Sequence, residues 1–270
     1  MRKALVTLAI GPQHETFFRN TCLPGWQAYA EAVGCDLIVF TDPLDQSPRA
    51  QARSPAWQKL LIFTQPSILK YDVICYADAD ILINPASPSI FETYKPNSVG
   101  SVRPPSPTDN PIFRLKAAKE GEKMKDIFSS LKLRAWEHPY AAFGITENHG
   151  SDYNTGVLVF RPLDFAGLFL KVYDEYEDVG SPVYNFEQWP LVHELVSAGV
   201  LHDIDPLYNV ILDHFLSYYS GFLRNVPFDS NQKNEILNCL VRDVLSHSYF
   251  LHFAGLINCL EVIDPQWGQP

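Results

Sequence analysis

Three short apolar runs, separated by stretches of helical periodicity, open this chain and leave few folds available to it. Ala4 to Ile10 and Cys35 to Phe40 read as strands, and Asp72 to Ala77 reads as a third. Between the first two, Phe17 to Val33 is helical in pattern and interrupted at Pro24-Gly25. Before the third, Ser54-Pro55 supplies an N-cap and a proline for the first helical position, and Trp57, Leu60, Leu61 and Thr64 follow at i, i+3, i+4 and i+7 spacing. Pro66 then bends or restarts that helix. Strands alternating with helices imply a parallel sheet covered on both faces, so the first third predicts the β-α-β-α-β opening of an α/β protein.

The second half is expected to complete the same sheet. A Pro-, Ser- and Asn-rich stretch over 84–111 surrounds a short strand at Ser98 to Val102, and a helix follows with Met124, Ile127, Phe128 and Leu131 on one face. Val157 to Phe160 has the composition of a buried strand, Pro162 opens a helix toward Asp178, Phe186 to Ala198 is helical by pattern, and Ser248 to Phe253 is a last apolar-aromatic strand. No repeat or linker divides the chain, which predicts one domain over 1–270, with 1–84 as its opening half and 85–270 as its sheet-completing half.

Composition narrows the partners. Of 270 residues, 46% are hydrophobic, enough for a large core, and the net charge of −10 disfavours a phosphate backbone as partner, so nucleic acid is not expected. Arg114 to Arg134 is locally basic, as the solvated side of an amphipathic helix would be, or a face for an acidic acceptor or a membrane surface. The five cysteines are odd in number and never form a C-x-x-C pair, so reduced thiols are expected. Met1-Arg2-Lys3 and the short apolar run behind it imitate a signal peptide, but polar Thr7 interrupts the run and it reads better as a strand. With no stretch long enough to span a bilayer, the expectation is a cytoplasmic protein, at most peripheral to a membrane.

Asp78-Ala79-Asp80 stands where the third run ends, with Ile81-Leu82-Ile83 immediately behind it. Ligands of open α/β sheets bind beyond the carboxyl ends of strands. On an extended strand, residues two apart share a side, so both carboxylates are expected to converge on one hard cation that offsets their repulsion.

Tyr76-Ala77-Asp78-Ala79-Asp80-Ile81-Leu82-Ile83, Tyr153-Asn154-Thr155-Gly156-Val157-Leu158-Val159-Phe160, Glu187-Gln188-Trp189 and Leu251-His252-Phe253-Ala254-Gly255 follow one another in this chain. In their order and spacing they resemble the nucleotide-sugar-dependent glycosyltransferases of the GT-A fold. The likeness is closest to the retaining enzymes of glycosyltransferase family 8, and it extends to the family 34 galactosyl/xylosyltransferases.

That resemblance implies a GT-A-like single α/β domain whose mixed, mostly parallel central sheet is flanked by helices. It implies a nucleotide-diphosphate sugar donor, UDP-linked in this family, and transfer with retention to an acceptor hydroxyl of a glycan, a lipid-linked sugar or a small molecule. Asp78, Asp80 and His252 match the ligands of a Mn²⁺ (or Mg²⁺) ion that bridges the donor's diphosphate, a hard oxygen-rich set with one imidazole. By the same resemblance 1–84 is the nucleotide-binding half and 85–270 the acceptor-binding and sheet-completing half, Ala9, Lys59 and Ala79 fall on the donor side, and Lys59 is expected to pair with a phosphate or with the aspartates. Asn154 and Gly156 match the N-x-G element near the sugars, with glycine allowing close backbone approach. Glu187 matches the acid that holds sugar hydroxyls, and Gln188 matches the group on the face opposite the departing phosphate. Trp189 beside them is expected to pack a sugar ring.

Two positions depart from the family. Ala254-Gly255-Leu256-Ile257-Asn258-Cys259 carries no lysine where family 8 places one, and Ala9-Ile10-Gly11-Pro12 lacks the acid that reads uracil. These departures suit a catalytically silent binding module of the same fold. A sugar nucleotidyltransferase would need a Gly- and basic-rich loop after the first strand, and Gly11-Pro12-Gln13-His14-Glu15 is not one.

Overall fold

The apolar runs of the first third pair side by side. In the computed structural model, which describes residues 1–103, 139–149, 153–180, 186–219 and 230–254, β1 (Lys3–Leu8) lies between β2 (Asp36–Phe40) and β3 (Val73–Ala77) and runs parallel to both. Leu5 thereby sits opposite Leu37 on one side and Cys75 on the other. β6 (Asn154–Phe160) joins β3 antiparallel, with Cys75 opposite Val159, and β5 (Val99–Val102) follows antiparallel to β6. β7 (Leu201–Asp203) closes the edge parallel to β5, giving a six-stranded sheet in the order β2-β1-β3-β6-β5-β7. Only β6 runs against its neighbours, so the sheet is mixed and mostly parallel, as the sequence predicts. A second, three-stranded sheet is ordered β4-β9-β8 from β4 (Ile81–Ile83), β8 (Val210–Ile211) and β9 (Phe250–His252).

Both faces of the large sheet are covered, which is why its strands read as unbroken apolar runs. Leu5, Cys75, Ala77, Val157 and Val159 face Phe18, Trp26, Tyr29 and Phe250 on one side. Ala4, Val6, Ile74, Tyr76, Leu158 and Phe160 face Trp57, Leu60, Phe63 and Phe169 on the other. Phe63 anchors the second layer, with its ring 4.9 Å from Phe160 and 4.4 Å from Phe169.

The helix expected over Phe17 to Val33 is a stack of three pieces: Pro12–Phe17, a π-turn at Phe18–Cys22, and Leu23–Val33 ending at left-handed Gly34. Pro24 falls in the first turn of the last piece, where a missing N–H costs nothing. Gly25 lets that helix press on β4, because a Cβ there would lie 2.7 Å from the Ile83 carbonyl oxygen. Trp26 Nε1 donates to the Ile81 carbonyl at 2.7 Å, so the strand that follows the two aspartates is tied to the helix behind it.

Ser54 caps a 3₁₀ turn, Pro55–Gln58, that runs into the short helix Lys59–Ile62, and Pro66 restarts a helix at Pro66–Leu69. The later helices include Pro162–Glu175 and Gln188–Ser197. Among the described residues Cys22, Cys35, Cys75 and Cys239 are free thiols, and no described helix is long and apolar enough to cross a membrane. The basic stretch Arg114 to Arg134, the helix expected around Met124, and Gly255 to Cys259 lie outside the described residues.

Candidate active site

Asp78 and Asp80 lie in the turn between β3 and β4, not on an extended strand as the sequence suggested. Their convergence comes from the backbone on either side of that turn. Asp78 N–H donates to the Gly156 carbonyl at 2.8 Å, which extends the β3–β6 pairing, and Phe253 N–H donates to the Asp80 carbonyl at 3.0 Å, which extends the β4–β9 pairing. The second sheet brings in the third donor, because β9 pairs with β4 and sets His252 opposite Ile81. His252 Nε2 lies 3.2 Å from Asp80 Oδ1 and 3.7 Å from Asp78 Oδ2. One donor atom from each of the three residues falls within 4.8 Å of the others, a group able to hold a metal ion.

Electrostatics favour a cation there. Burial opposes an imidazolium at His252, yet the Asp80 charge outweighs it, so the ring's affinity for positive charge is raised above its ordinary range. Burial likewise opposes ionisation of Asp80, and the His252 ring overcomes it, holding that carboxyl below its usual value. The buried Lys59 ammonium makes a close ion pair with Glu187, stands 3.8 Å from Asp78 Oδ1, and donates to Thr155 Oγ1 at 3.2 Å. Burial disfavours its charge, but Asp78 and Glu187 outweigh that and hold it above the ordinary range. With His252 neutral and Glu187 ionised, Asp78, Asp80 and Glu187 against Lys59 leave an excess of two negative charges, the charge of one divalent cation.

Glycine at 156 is required by this crowding. A Cβ there would collide with His252 Cε1 and stand 2.7 Å from Asn154 Oδ1 and 2.8 Å from Asp78 Oδ2.

These groups line a cleft of about 580 Å³, a size suited to a small-molecule ligand. Leu8, Ile10, His14, Ser54, Pro55 and Ala56 are among its lining residues. Asn154, Gly156, Phe186, Glu187 and Gln188 form part of the other lining, with Lys59, Asp78, Ala79, Asp80 and His252 in the same cleft. Arg53 holds the 54–56 rim in place. Its guanidinium lies over Trp57 and Tyr173, donates to the Tyr173 carbonyl at 2.7 Å and pairs with Glu177 at 2.9 Å, while Ser54 N–H donates to Asp178 at 2.7 Å.

Most of the residues singled out by sequence thus come together, and two do not reach the cleft. Ala9 is fully buried in the core, and the strand's alternation presents Leu8 and Ile10 to the pocket in its place. Trp189 packs edge-on to Tyr140 with ring centroids 5.1 Å apart, within a buried cluster that includes Tyr153 and Val192, and is not among the residues that line the pocket. The reason is helical geometry. Gln188 opens its helix toward the cleft, and the next residue is turned some 100° away. Phe186, held at a φ of 51° immediately before Glu187, lines the cleft together with Tyr76.

Sequence reasoning also missed Tyr76, whose hydroxyl donates to Asp78 Oδ1 at 2.7 Å, Thr155, which donates to Glu187 at 3.3 Å, and Asn209, which contacts both His252 and Asn154. Tyr76 and Thr155 stand within the motif segments, where no role was read for them. Asn209 belongs to no recognisable pattern beyond the Asp205-capped turn Pro206–Asn209.

No protein-family model matches the chain, and no curated protein matches it. Solved structures do. A glycosyltransferase involved in glycosylation of the major capsid of PBCV-1 is 14% identical, with a TM-score of 0.53 over 97% of this chain and 100% of that one. The WbbM bifunctional glycosyltransferase in its apo form is 13% identical, with a TM-score of 0.54 over 99% of this chain and 50% of that one. The fold observed is therefore the GT-A-like fold that the sequence motifs imply.

Proposed function

We propose that this protein transfers a sugar from a nucleoside-diphosphate sugar, UDP-linked, to an acceptor hydroxyl with retention of configuration and with the help of Mn²⁺ or Mg²⁺. The observation that carries the reading is the convergence of Asp78, Asp80 and His252 in one cleft with Glu187 and Gln188, on the fold of known glycosyltransferases. Asp78, Asp80 and His252 would hold the cation, two carboxylates and an imidazole suiting a hard divalent ion. When bound, the cation supplies positive charge that stabilises the diphosphate leaving group.

The chain's own residues perform the rest. Lys59 balances the carboxylates around it and opposes the burial that pushes the Glu187 carboxyl above its ordinary range, and Glu187 would accept hydrogen bonds from sugar hydroxyls. Glu187 is 2% exposed and is engaged by Lys59 and Thr155, which disfavours it as a nucleophile. Gln188 presents an amide on the face opposite the departing group. These features favour same-face attack: the bond from anomeric carbon to phosphate oxygen breaks, the bond to the acceptor oxygen forms, and the acceptor's proton passes to the departing phosphate oxygen. Leu8, Ile10 and Pro55 line the same cleft and would offer the base apolar contact in place of an acid.

Calorimetric titration with UDP and with GDP, each with Mn²⁺ or excess chelator, tests the reading. UDP binding that requires Mn²⁺ and is lost in Asp80→Ala is the expected result. Metal-independent binding, or unchanged metal dependence in Asp80→Ala, would refute the cation site, and GDP selectivity would refute the donor assignment.

A further inference from the structure

The orientation of three side-chain amides in the cleft follows from a single backbone group. Gly156 N–H can only donate, and it does so at 2.9 Å to Asn154, so the atom facing it is the amide oxygen Oδ1. That fixes Asn154 Nδ2 toward Gln188 Oε1, 3.2 Å away. The same Asn154 oxygen receives a second contact at 2.8 Å from Asn209, which must therefore present Nδ2 to it. Asn209 Oδ1 is then left facing His252 Nδ1 at 2.9 Å, and because an amide oxygen only accepts, Nδ1 carries the proton. His252 Nε2 remains the ring atom aimed at Asp78 and Asp80.

We infer that Asn209 is a positioning residue of the cation site: it holds His252 in the tautomer and ring orientation that turn Nε2 toward a divalent ion, and through Asn154 it links that ligand to Gln188. The inference rests on the cation reading proposed above. Asn209 is itself rigidly placed and only 3% exposed. It closes the turn Pro206–Asn209, whose Asp205 side chain accepts from Leu207 N–H at 2.9 Å, and the next residues enter β8, which pairs with β9 so that Ile211 lies opposite His252. Hydrogen-bond partners that orient a metal-bound histidine commonly contribute 10- to 100-fold in metal affinity, an effect of about that order being expected here.

Mn²⁺ binding to the full chain, followed by the electron paramagnetic resonance signal of the free aqua ion with and without UDP, tests this with two variants. Asn209→Leu removes the acceptor and should weaken Mn²⁺ by roughly 10- to 100-fold. Asn209→Gln keeps both an acceptor for Nδ1–H and a donor for Asn154 Oδ1 without adding charge, and should bind Mn²⁺ more tightly than Asn209→Leu, a rescue that a purely space-filling role would not give. Equal Mn²⁺ affinity in Asn209→Leu and wild type would overturn the inference, as would a loss in Asn209→Gln as large as that in Asn209→Leu. If Asn209→Leu does not fold by circular dichroism, Asn209→Gln decides alone: retained binding supports the assignment and lost binding overturns it. Absence of Mn²⁺ binding in the wild type would overturn the cation reading itself and the inference with it, an outcome distinct from a failure confined to the variants.

Discussion

Gly156→Ala is the smallest change that should disable the cation site, and its cost can be worked from contacts. The added Cβ would lie 2.7 Å from Asn154 Oδ1 and 2.8 Å from Asp78 Oδ2, and closer still to His252 Cε1, where ordinary contact begins at 3.4 Å. The first two groups would each have to retreat by roughly 0.6 Å to relieve the overlap. The strand cannot retreat for them, because Gly156 O accepts from Asp78 N–H at 2.8 Å and Val157 is paired with Ala77. Overpacking of this kind costs about 1–3 kcal/mol. At about 2–4 °C per kcal/mol for a domain of comparable size, thermal unfolding should fall by several degrees. The larger effect should be on Mn²⁺, since Asp78 and His252 are both displaced; a loss of 1.4–2.8 kcal/mol corresponds to roughly 10- to 100-fold in affinity. Gly100→Ala is the control. Its Cβ would be crowded by Ile204 Cγ2 at 2.8 Å and His202 at 3.1 Å, in the same sheet but away from the cleft. Differential scanning calorimetry and Mn²⁺ titration of both variants should show similar destabilisation and a metal defect only at position 156. Wild-type Mn²⁺ affinity in a folded Gly156→Ala protein would refute the placement of the cation against β6.

Other perturbations separate structure from chemistry. Lys59→Met would strand Glu187 in the interior, and breaking one partner of a buried pair costs about 3–5 kcal/mol, so urea unfolding should show that loss and Lys59→Met/Glu187→Leu should regain much of it. A single variant within about 1 kcal/mol of wild type would contradict the ion pair. Tyr76→Phe removes the hydroxyl that donates to Asp78 Oδ1 at 2.7 Å, and should weaken Mn²⁺ several-fold while leaving the unfolding midpoint nearly unchanged. Hydrogen bonds from Arg49 and Arg53 hold the Glu177 carboxyl below its ordinary value of 4.5. Its contribution is therefore present above the unfolded-state value and lost as pH falls through the folded one. Wild type should exceed Glu177→Gln in stability by up to about 1 kcal/mol at neutral pH, with the gap closing only as acid unfolding is followed below 4.5. A gap that persists in strong acid would contradict the assignment.

The parts of this molecule legible in its sequence are those that local physics decides. β1 to β3 are apolar on both faces because helices cover both, so they announce themselves as runs, and the two aspartates are conspicuous where a run ends. The parts that were not legible depend on pairing between distant segments. Asp78 and Asp80 share a side because β6 and β9 grip the turn from opposite flanks, so the strand-spacing argument reached the right convergence through the wrong local geometry. Trp189 is as prominent in sequence as Gln188, and only the helix phase turns one toward the cleft and the other into the core.

Lys59 illustrates the same division in charge. A lysine on a helix before an acidic motif suggests a contact with a phosphate or with the aspartates, and its ammonium is taken up by Glu187, with Asp78 beside it. It offsets one of three carboxylates, and with His252 neutral the other two are left for a cation to balance. A cation placed there would be matched by the site's own charge, and the positive field it brings would be directed at whatever phosphate enters the cleft beyond the ends of β1 and β3.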